Sequence, residues 1–156
     1  AILTGSIFIV VAAAACVAYV GSLEQWPQQI ATLAVESGLT GTSFLLLIVV
    51  IFFIAGMIMD VPMALALLVP LFGPAAVAQG VHPIHLGIII CLNLTMGVVT
   101  PPLGGCLIVV ATISGENYWK PVWATLPFLV VEIIVLLIIT LVPSISLWLP
   151  RMLGFL

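Results

Sequence analysis

Apolar residues fall in long blocks along this chain rather than in alternation. The first block, residues 2–20, contains no charged side chain. At 1.5 Å of helical rise per residue it matches the hydrocarbon core of a bilayer, about 30 Å. It predicts a transmembrane helix at 1–21, and its alanines at 12–15 let a neighbouring helix approach closely. No Ala-x-Ala cleavage pattern follows it, so it reads as a membrane helix and not as a signal peptide. Residues 22–38 differ. They hold Glu24, Glu36, three glutamines and Trp26-Pro27, with Ile30, Leu33 and Ala34 at helical spacing. That pattern predicts an amphipathic helix lying at the membrane interface, ended by the Gly38–Gly41 stretch.

Two further apolar segments are interrupted. Residues 39–59 end in Gly56-Met57-Ile58-Met59-Asp60-Val61-Pro62, and residues 63–78 carry Pro70 and Pro74 before Gly80. His82-Pro83 is a helix start with proline in the first turn. The apolar run 84–96 that follows amounts to about 20 Å of helix, too short to cross the core. It breaks at Gly97-Val98-Val99-Thr100-Pro101-Pro102-Leu103-Gly104-Gly105 and resumes from Cys106 to Ile113. Residues 114–121 form a polar loop in which Tyr118 and Trp119 suit an interfacial aromatic belt. Residues 122–143 predict a full span, and residues 144–156, with Trp148 and Arg151, an interfacial C-terminal tail. The expected fold class is all-α and polytopic in a membrane. Complete spans alternate with broken ones, and irregular backbone at membrane depth survives only where protein buries it or it lines a cavity. Interrupted short segments of this kind mark the binding sites of secondary transporters.

Composition sharpens this picture. Of 156 residues, 65% are apolar and 4% charged, against about 25% charged in a soluble domain. Mean hydropathy is +1.51. With two basic side chains, Lys120 and Arg151, the chain cannot neutralise a nucleic-acid backbone, and no nucleic-acid partner is expected. The same scarcity leaves orientation weakly determined, although Lys120 points to a cytoplasmic 114–121 loop. Cys16, Cys91 and Cys106 form no CxxC pair and are expected to be small packing residues. There is no Gly-x-x-x-x-Gly-Lys loop for ATP, no HExxH and no GxSxG, so the chain is not expected to be an enzyme.

The chemistry lies at the breaks. A proline offers no N–H and displaces the carbonyl four residues back, so Pro101 is expected to free the Gly97 carbonyl and Pro102 that of Val98. Thr100 and Pro101, each followed by proline, are expected to be extended. Gly97, Gly104 and Gly105 allow turns and a close approach of backbone to ligand. Carbonyls, the Thr100 hydroxyl and the negative end of the 84–96 helix together suit a hard cation. The segment beginning near Leu103 offers a positive helix end for an anionic group. The alternative is a helix kinked by proline and without ligand. At the other break, Pro62 is expected to free the Ile58 carbonyl. Asp60, the chain's lone aspartate, is either a functional charge at depth or an N-cap. Glu132, in mid-span, is a proton-relay group or faces a partner subunit or solvated groove, with the second favoured. For His82 and His85 a loop-and-cap role is favoured over a metal. Asn93 bonds across to the broken segment or stabilises helix packing.

These motifs together resemble a known family. Gly56-Met57-Ile58-Met59-Asp60, Pro70-x-x-x-Pro74, His82-Pro83-Ile84-His85-x-Gly87, Gly97-Val98-Val99-Thr100-Pro101-Pro102-Leu103-Gly104, Leu126-Pro127-Phe128 and Ser146-Leu147-Trp148-Leu149-Pro150 follow in this order. In that order they resemble the C-terminal half of the large membrane subunit of tripartite ATP-independent periplasmic (TRAP) transporters. The resemblance implies one of two inverted repeats of an elevator-type ion transporter. Residues 39–80 would form a re-entrant hairpin with its tip at 56–62, and residues 81–115 a discontinuous helix whose break faces that tip. It implies sodium-coupled import of an organic acid, sialic acid or C4-dicarboxylate, across a bacterial inner membrane. The implied partners are the N-terminal half of the same subunit, a small membrane subunit and a periplasmic substrate-binding protein. Sodium would sit on Gly56, Gly97, Thr100 and Leu103, largely through backbone oxygens. Asp60, Pro101, Pro102, Gly104 and Gly105 are the candidates for substrate contact or gating. Glu132 departs from the apolar residue expected at its position. The competing readings are an ion channel, a sodium-coupled anion transporter without a binding protein, and a structural membrane subunit.

Overall fold

The computed structural model describes residues 2–39 and 41–154; residues 1, 40 and 155–156 of the predicted segments lie outside the described residues. The described residues form eight helices and no strand: α1 (Ile2–Leu23), α2 (Trp26–Glu36), α3 (Thr42–Ile58), α4 (Val61–Ala78), α5 (Pro83–Val98), α6 (Gly105–Ser114), α7 (Trp119–Leu141) and α8 (Pro143–Met152). By length and composition α4 and α7 can each cross a bilayer. Residues 8–23 of α1 pass the same test together with α2, across a bend of 62°. That bend falls at Glu24-Gln25, where Gln25 is left-handed at φ 57°. Gly21 makes room for it, because a Cβ there would meet the Trp26 ring at 2.8 Å.

The core joins α3, α4 and α5. Phe44, Ile48 and Phe52 of α3 are fully buried against Ile89 and Leu94 of α5, with Ala64, Ala75 and Ala76 of α4 on the other side. Phe52 meets Phe72 of α4 edge to face at 6.0 Å, the arrangement that ring quadrupoles favour. The α2 face carrying Ala34, with Ile30 and Ala31 beside it, packs onto this core. Pro70 and Pro74 lie inside α4 and Pro127 inside α7, where each removes one rung of the helical ladder. Most large apolar side chains of α7, including Trp123, Phe128, Ile134 and Ile138, point outward.

The structure refines three expectations. The C-terminal tail is a regular helix, α8, because Pro143 suits its first turn and the chain turns at Val142. Its Ser146 and Leu147 are buried, which anchors it to the bundle. The cysteines do not pack inside: Cys16, Cys91 and Cys106 are all exposed, since the small residues chosen for close contact are alanine and glycine. The span predicted at 122–143 begins earlier, at Trp119, where the Asn117 side chain accepts the Trp119 N–H at 3.2 Å.

Candidate functional site

The two interrupted segments meet. α3 runs to its end at Ile58 and α5 to its end at Val98, and they touch at Gly56 and Gly97. A Cβ on Gly97 would lie 2.5 Å from the Gly56 carbonyl carbon and 2.6 Å from its Cα. A Cβ on Gly56 would lie 3.1 Å from the Leu94 carbonyl oxygen and 3.2 Å from the Gly97 Cα. Real Cβ atoms do not approach backbone as closely as one on Gly97 would, and one on Gly56 would be tight, so the crossing requires glycine at 97 and is eased by glycine at 56. Asn93, fully buried one turn earlier on α5, donates from Nδ2 to the Val49 carbonyl of α3 at 2.6 Å. Of the two roles open to Asn93, the structure places it in helix packing.

Two helix C-termini therefore converge, each carrying partial negative charge. Met59 N–H closes on the Ala55 carbonyl at 2.7 Å, and among the described residues no backbone N–H reaches the carbonyls of Gly56, Met57 or Ile58. On α5 the outcome is mixed. The Gly97 carbonyl is not freed by Pro101, because it accepts the Thr100 N–H at 3.0 Å. The last turn tightens to i→i+3 pairing, a usual way of satisfying terminal carbonyls. The Val98 carbonyl, whose helical partner would have been Pro102, receives no backbone N–H from a described residue. Thr100 is 8% exposed, and its hydroxyl donates to the Met96 carbonyl at 2.7 Å. That bond uses its proton and leaves its oxygen lone pairs open.

Beyond the break, the Pro101-Pro102 peptide is cis. Gly104 is left-handed at φ 48°, and a Cβ there would stand 2.8 Å from the Leu107 side chain and 3.2 Å from the Thr100 carbonyl. From Gly105 the chain re-enters helix as α6, presenting a positive N-terminus with an exposed Gly105 beside an exposed Pro102. Leu103 is half exposed. The Tyr118 hydroxyl closes the loop, 2.9 Å from the Pro102 carbonyl and 3.3 Å from that of Leu103. The phenol thus already touches the Leu103 carbonyl, where the family resemblance implies a sodium ligand. Tyr118 read as a belt residue because nothing in its neighbourhood ties an aromatic in a polar loop to a turn 15 residues back.

At the other tip, Asp60 occupies the N-cap position of α4 with Pro62 in the first turn. The cap is made by backbone alone: Ala64 N–H bonds to the Asp60 carbonyl at 2.9 Å, while the exposed carboxylate makes no capping bond. The carboxylate is thereby left available between α3 and α4. Among the described residues no group of three or more His, Cys, Asp or Glu is gathered to hold a metal. His82 does cap, its Nδ1 accepting the Ile84 N–H at 3.2 Å. Glu132 lines a groove between α5 and α7 with Thr95, Met96 and Val99.

Comparison with known proteins follows the same lines. Residues 1–145 match the family described as the DctM component of the tripartite ATP-independent periplasmic transporter. The chain is 38% identical over 97% of its length to the C4-dicarboxylate TRAP transporter large permease protein DctM of Pseudomonas aeruginosa, covering 36% of that protein. It is 34% identical over 83% of its length to the sialic acid TRAP transporter large permease protein SiaM of Vibrio cholerae, covering 30% of it. It is 33% identical over 95% of its length to the ectoine TRAP transporter large permease protein TeaC of Halomonas elongata, covering 35% of it. The chain spans about a third of the length of each of these three relatives.

Proposed function

The chain belongs to the DctM component family of tripartite ATP-independent periplasmic transporters, and from that premise we propose that it forms part of a sodium-coupled importer of an organic acid anion. The observation that carries the reading is the convergence of the α3 and α5 C-termini at Gly56 and Gly97. Two negative helix ends, the unpaired Gly56 and Val98 carbonyls and the Thr100 lone pairs make an oxygen-rich environment suited to a monovalent cation. Gly97 contributes through its small size and Leu103 through its carbonyl, shared with Tyr118.

The N-termini of α4 and α6 start from the same two breaks and supply the opposite charge. The substrate carboxylate binds toward Gly104 and Gly105, with Pro101 and Pro102 fixing the loop and Asp60 at the facing tip gating access. Filling the cation site stiffens the break and so prepares the anion site, which couples the two. α3 and α4 act as the re-entrant hairpin, and α5 and α6 as the discontinuous helix, of one repeat in an elevator-type transport domain. The remaining repeat, a small membrane subunit and a periplasmic substrate-binding protein complete the system in a bacterial inner membrane. The relatives' names span a C4-dicarboxylate, sialic acid and ectoine at similar identity, so the substrate is assigned as a class.

The test is uptake by the full-length parent, with its small subunit and binding protein, in liposomes. A panel of labelled organic acids is offered with and without an inward sodium gradient. Uptake that requires both sodium and the binding protein is the expected result. Uptake indifferent to sodium overturns the cation site, and uptake indifferent to the binding protein removes that partner.

A further inference from the structure

Glu132 places a carboxylate in the middle of α7, a helix long and apolar enough to cross a bilayer. Along that helix it stands about 20 Å from Trp119 and about 14 Å from Leu141. Lysine and arginine near the end of a span escape the hydrocarbon by reaching to the interface, and a shorter glutamate in mid-span does not. A charge at this depth is expensive and calls for a partner.

No described residue supplies one. Glu132 is exposed and, among the described residues, makes no ion pair. Lys120 lies about 18 Å earlier along α7 and pairs with Glu116. Arg151 belongs to α8, beyond the end of α7. His85, about 15 Å along α5 from Thr95, is buried against the Ser146 hydroxyl of α8.

Glu132 opens onto a groove of about 270 Å³ between α5 and α7. Met96 and Leu136 form its buried floor, and Leu92, Val131 and Val135 stand exposed along its walls. Thr95 is its other polar side chain. The Thr95 hydroxyl spends its proton on the Cys91 and Leu92 carbonyls, at 3.0 and 2.8 Å, so its oxygen remains only as an acceptor. An ionised carboxylate is likewise acceptor-only. The groove thus combines an apolar lining, which suits the ridge of a third helix, with polar groups that want a positively charged donor. α1 and α2 pack on α4 rather than on this side of α5.

We propose that a transmembrane helix from the rest of the large subunit lies in this groove and presents a lysine or arginine to Glu132. The chain covers 36%, 30% and 35% of three relatives, so about two thirds of a subunit of that length lies outside these residues. Its covalent tether gives it a high effective concentration at the groove. A second copy of this face does not fit, because it would set glutamate against glutamate while its Lys120 and Arg151 stand away from mid-span. The pair rests on membership of the family and is independent of the sodium reading.

The test uses the full-length parent with its small subunit in detergent, and the unfolding midpoint is the readout. The remaining sequence of the large subunit must carry a lysine or arginine within an apolar span, and its absence overturns the proposal. Glu132→Gln is expected to lower the midpoint by several degrees, because it strands a buried cation without its counter-charge. Changing one such cation to glutamine should lower it comparably. The two changes together should cost less than their sum, since neither charge is then left unpaired. Glu132→Lys combined with glutamate at the cation's position should recover part of the loss. A midpoint for Glu132→Gln at or above wild type overturns the pair, because the carboxylate then meets water or takes up a proton. Additive losses with every intramembrane cation of the large subunit overturn it too. Coupling to a cation of the small subunit instead overturns the assignment of the groove to the same chain. The glutamine variant is nearly isosteric, so the outcome does not depend on whether Glu132→Lys folds.

Discussion

Gly56 and Gly97 touch backbone to backbone, with the Gly97 Cα only 3.2 Å from where a Gly56 Cβ would stand. This contact fixes how far the end of α3 can approach the end of α5, and it therefore sets the spacing of every carbonyl around it. Gly97→Ala should be disproportionately harmful for one methyl group. Its Cβ would fall within 3.0 Å of three Gly56 backbone atoms, none of which can swing aside as a side chain would. Overpacking of this kind costs about 1–3 kcal/mol. The expected outcome is a lowered unfolding midpoint together with weaker sodium activation of transport. An unchanged midpoint and sodium response in Gly97→Ala would show that the helices do not cross here in the assembled protein.

Thr100 separates the cation reading from a proline kink without ligand. Its hydroxyl donates to Met96 at 2.7 Å and keeps its lone pairs for an ion. Thr100→Ser retains that oxygen and should keep sodium activation near the wild-type level. Thr100→Ala removes it, at about 0.5–1.5 kcal/mol, and should raise the sodium concentration for half-maximal uptake roughly 2- to 10-fold. The check is a sodium titration of uptake at saturating substrate. Equal curves for the two variants would leave the hydroxyl a purely structural role.

Tyr118 offers a test that the sequence does not suggest. Tyr118→Phe keeps the ring and its edge-to-face contact with Trp119 at 5.7 Å, and removes the hydroxyl from the Pro102 and Leu103 carbonyls. The loop loses about 0.5–1.5 kcal/mol of tethering. Faster amide hydrogen exchange is expected at Leu103 and Gly104, with little change in the overall unfolding midpoint. Protection equal to wild type would mean that the phenol does not hold the loop.

How much of this was written in the chain differs from feature to feature. The breaks were legible, because two prolines and three glycines between 97 and 105 cannot continue a helix. That α5 stops at Val98 and α6 begins at Gly105 follows directly. The fate of the Gly97 carbonyl was not legible. Proline chemistry removes its i+4 donor, but the switch to the Thr100 N–H depends on how the last turn tightens. Spacing alone gives no sign of the Gly56–Gly97 contact, since two glycines in different segments carry no mark of being partners; only the family resemblance, which sets the break opposite the 56–62 tip, brings them together. Tyr118 and the His85–Ser146 pair join residues distant in sequence, where period and propensity give no signal. Asp60 shows the limit from the other side: the N-cap position was legible, while the absence of a side-chain cap depends on a rotamer.

Asn93 gives the sharpest stability test. It is fully buried between α5 and α3, and its Nδ2 donates to the Val49 carbonyl at 2.6 Å, while Oδ1 has no partner. Asn93→Ala removes the bond and leaves a small cavity. Loss of one buried hydrogen bond costs about 1 kcal/mol, and the vacated space adds to that. Asn93→Asp is nearly isosteric and should nonetheless be worse. Its carboxyl oxygens would face the Val49 carbonyl with no donor, unless the buried group takes up a proton. Asn93→Leu restores apolar volume and removes the unpaired Oδ1, so it should fall closest to wild type in stability. Unfolding midpoints of the three variants, in detergent and with the partner subunit present, should rank Leu above Ala above Asp. If Asp instead ranks highest, a donor from the rest of the transporter reaches this position, and the unpaired Oδ1 marks where it binds.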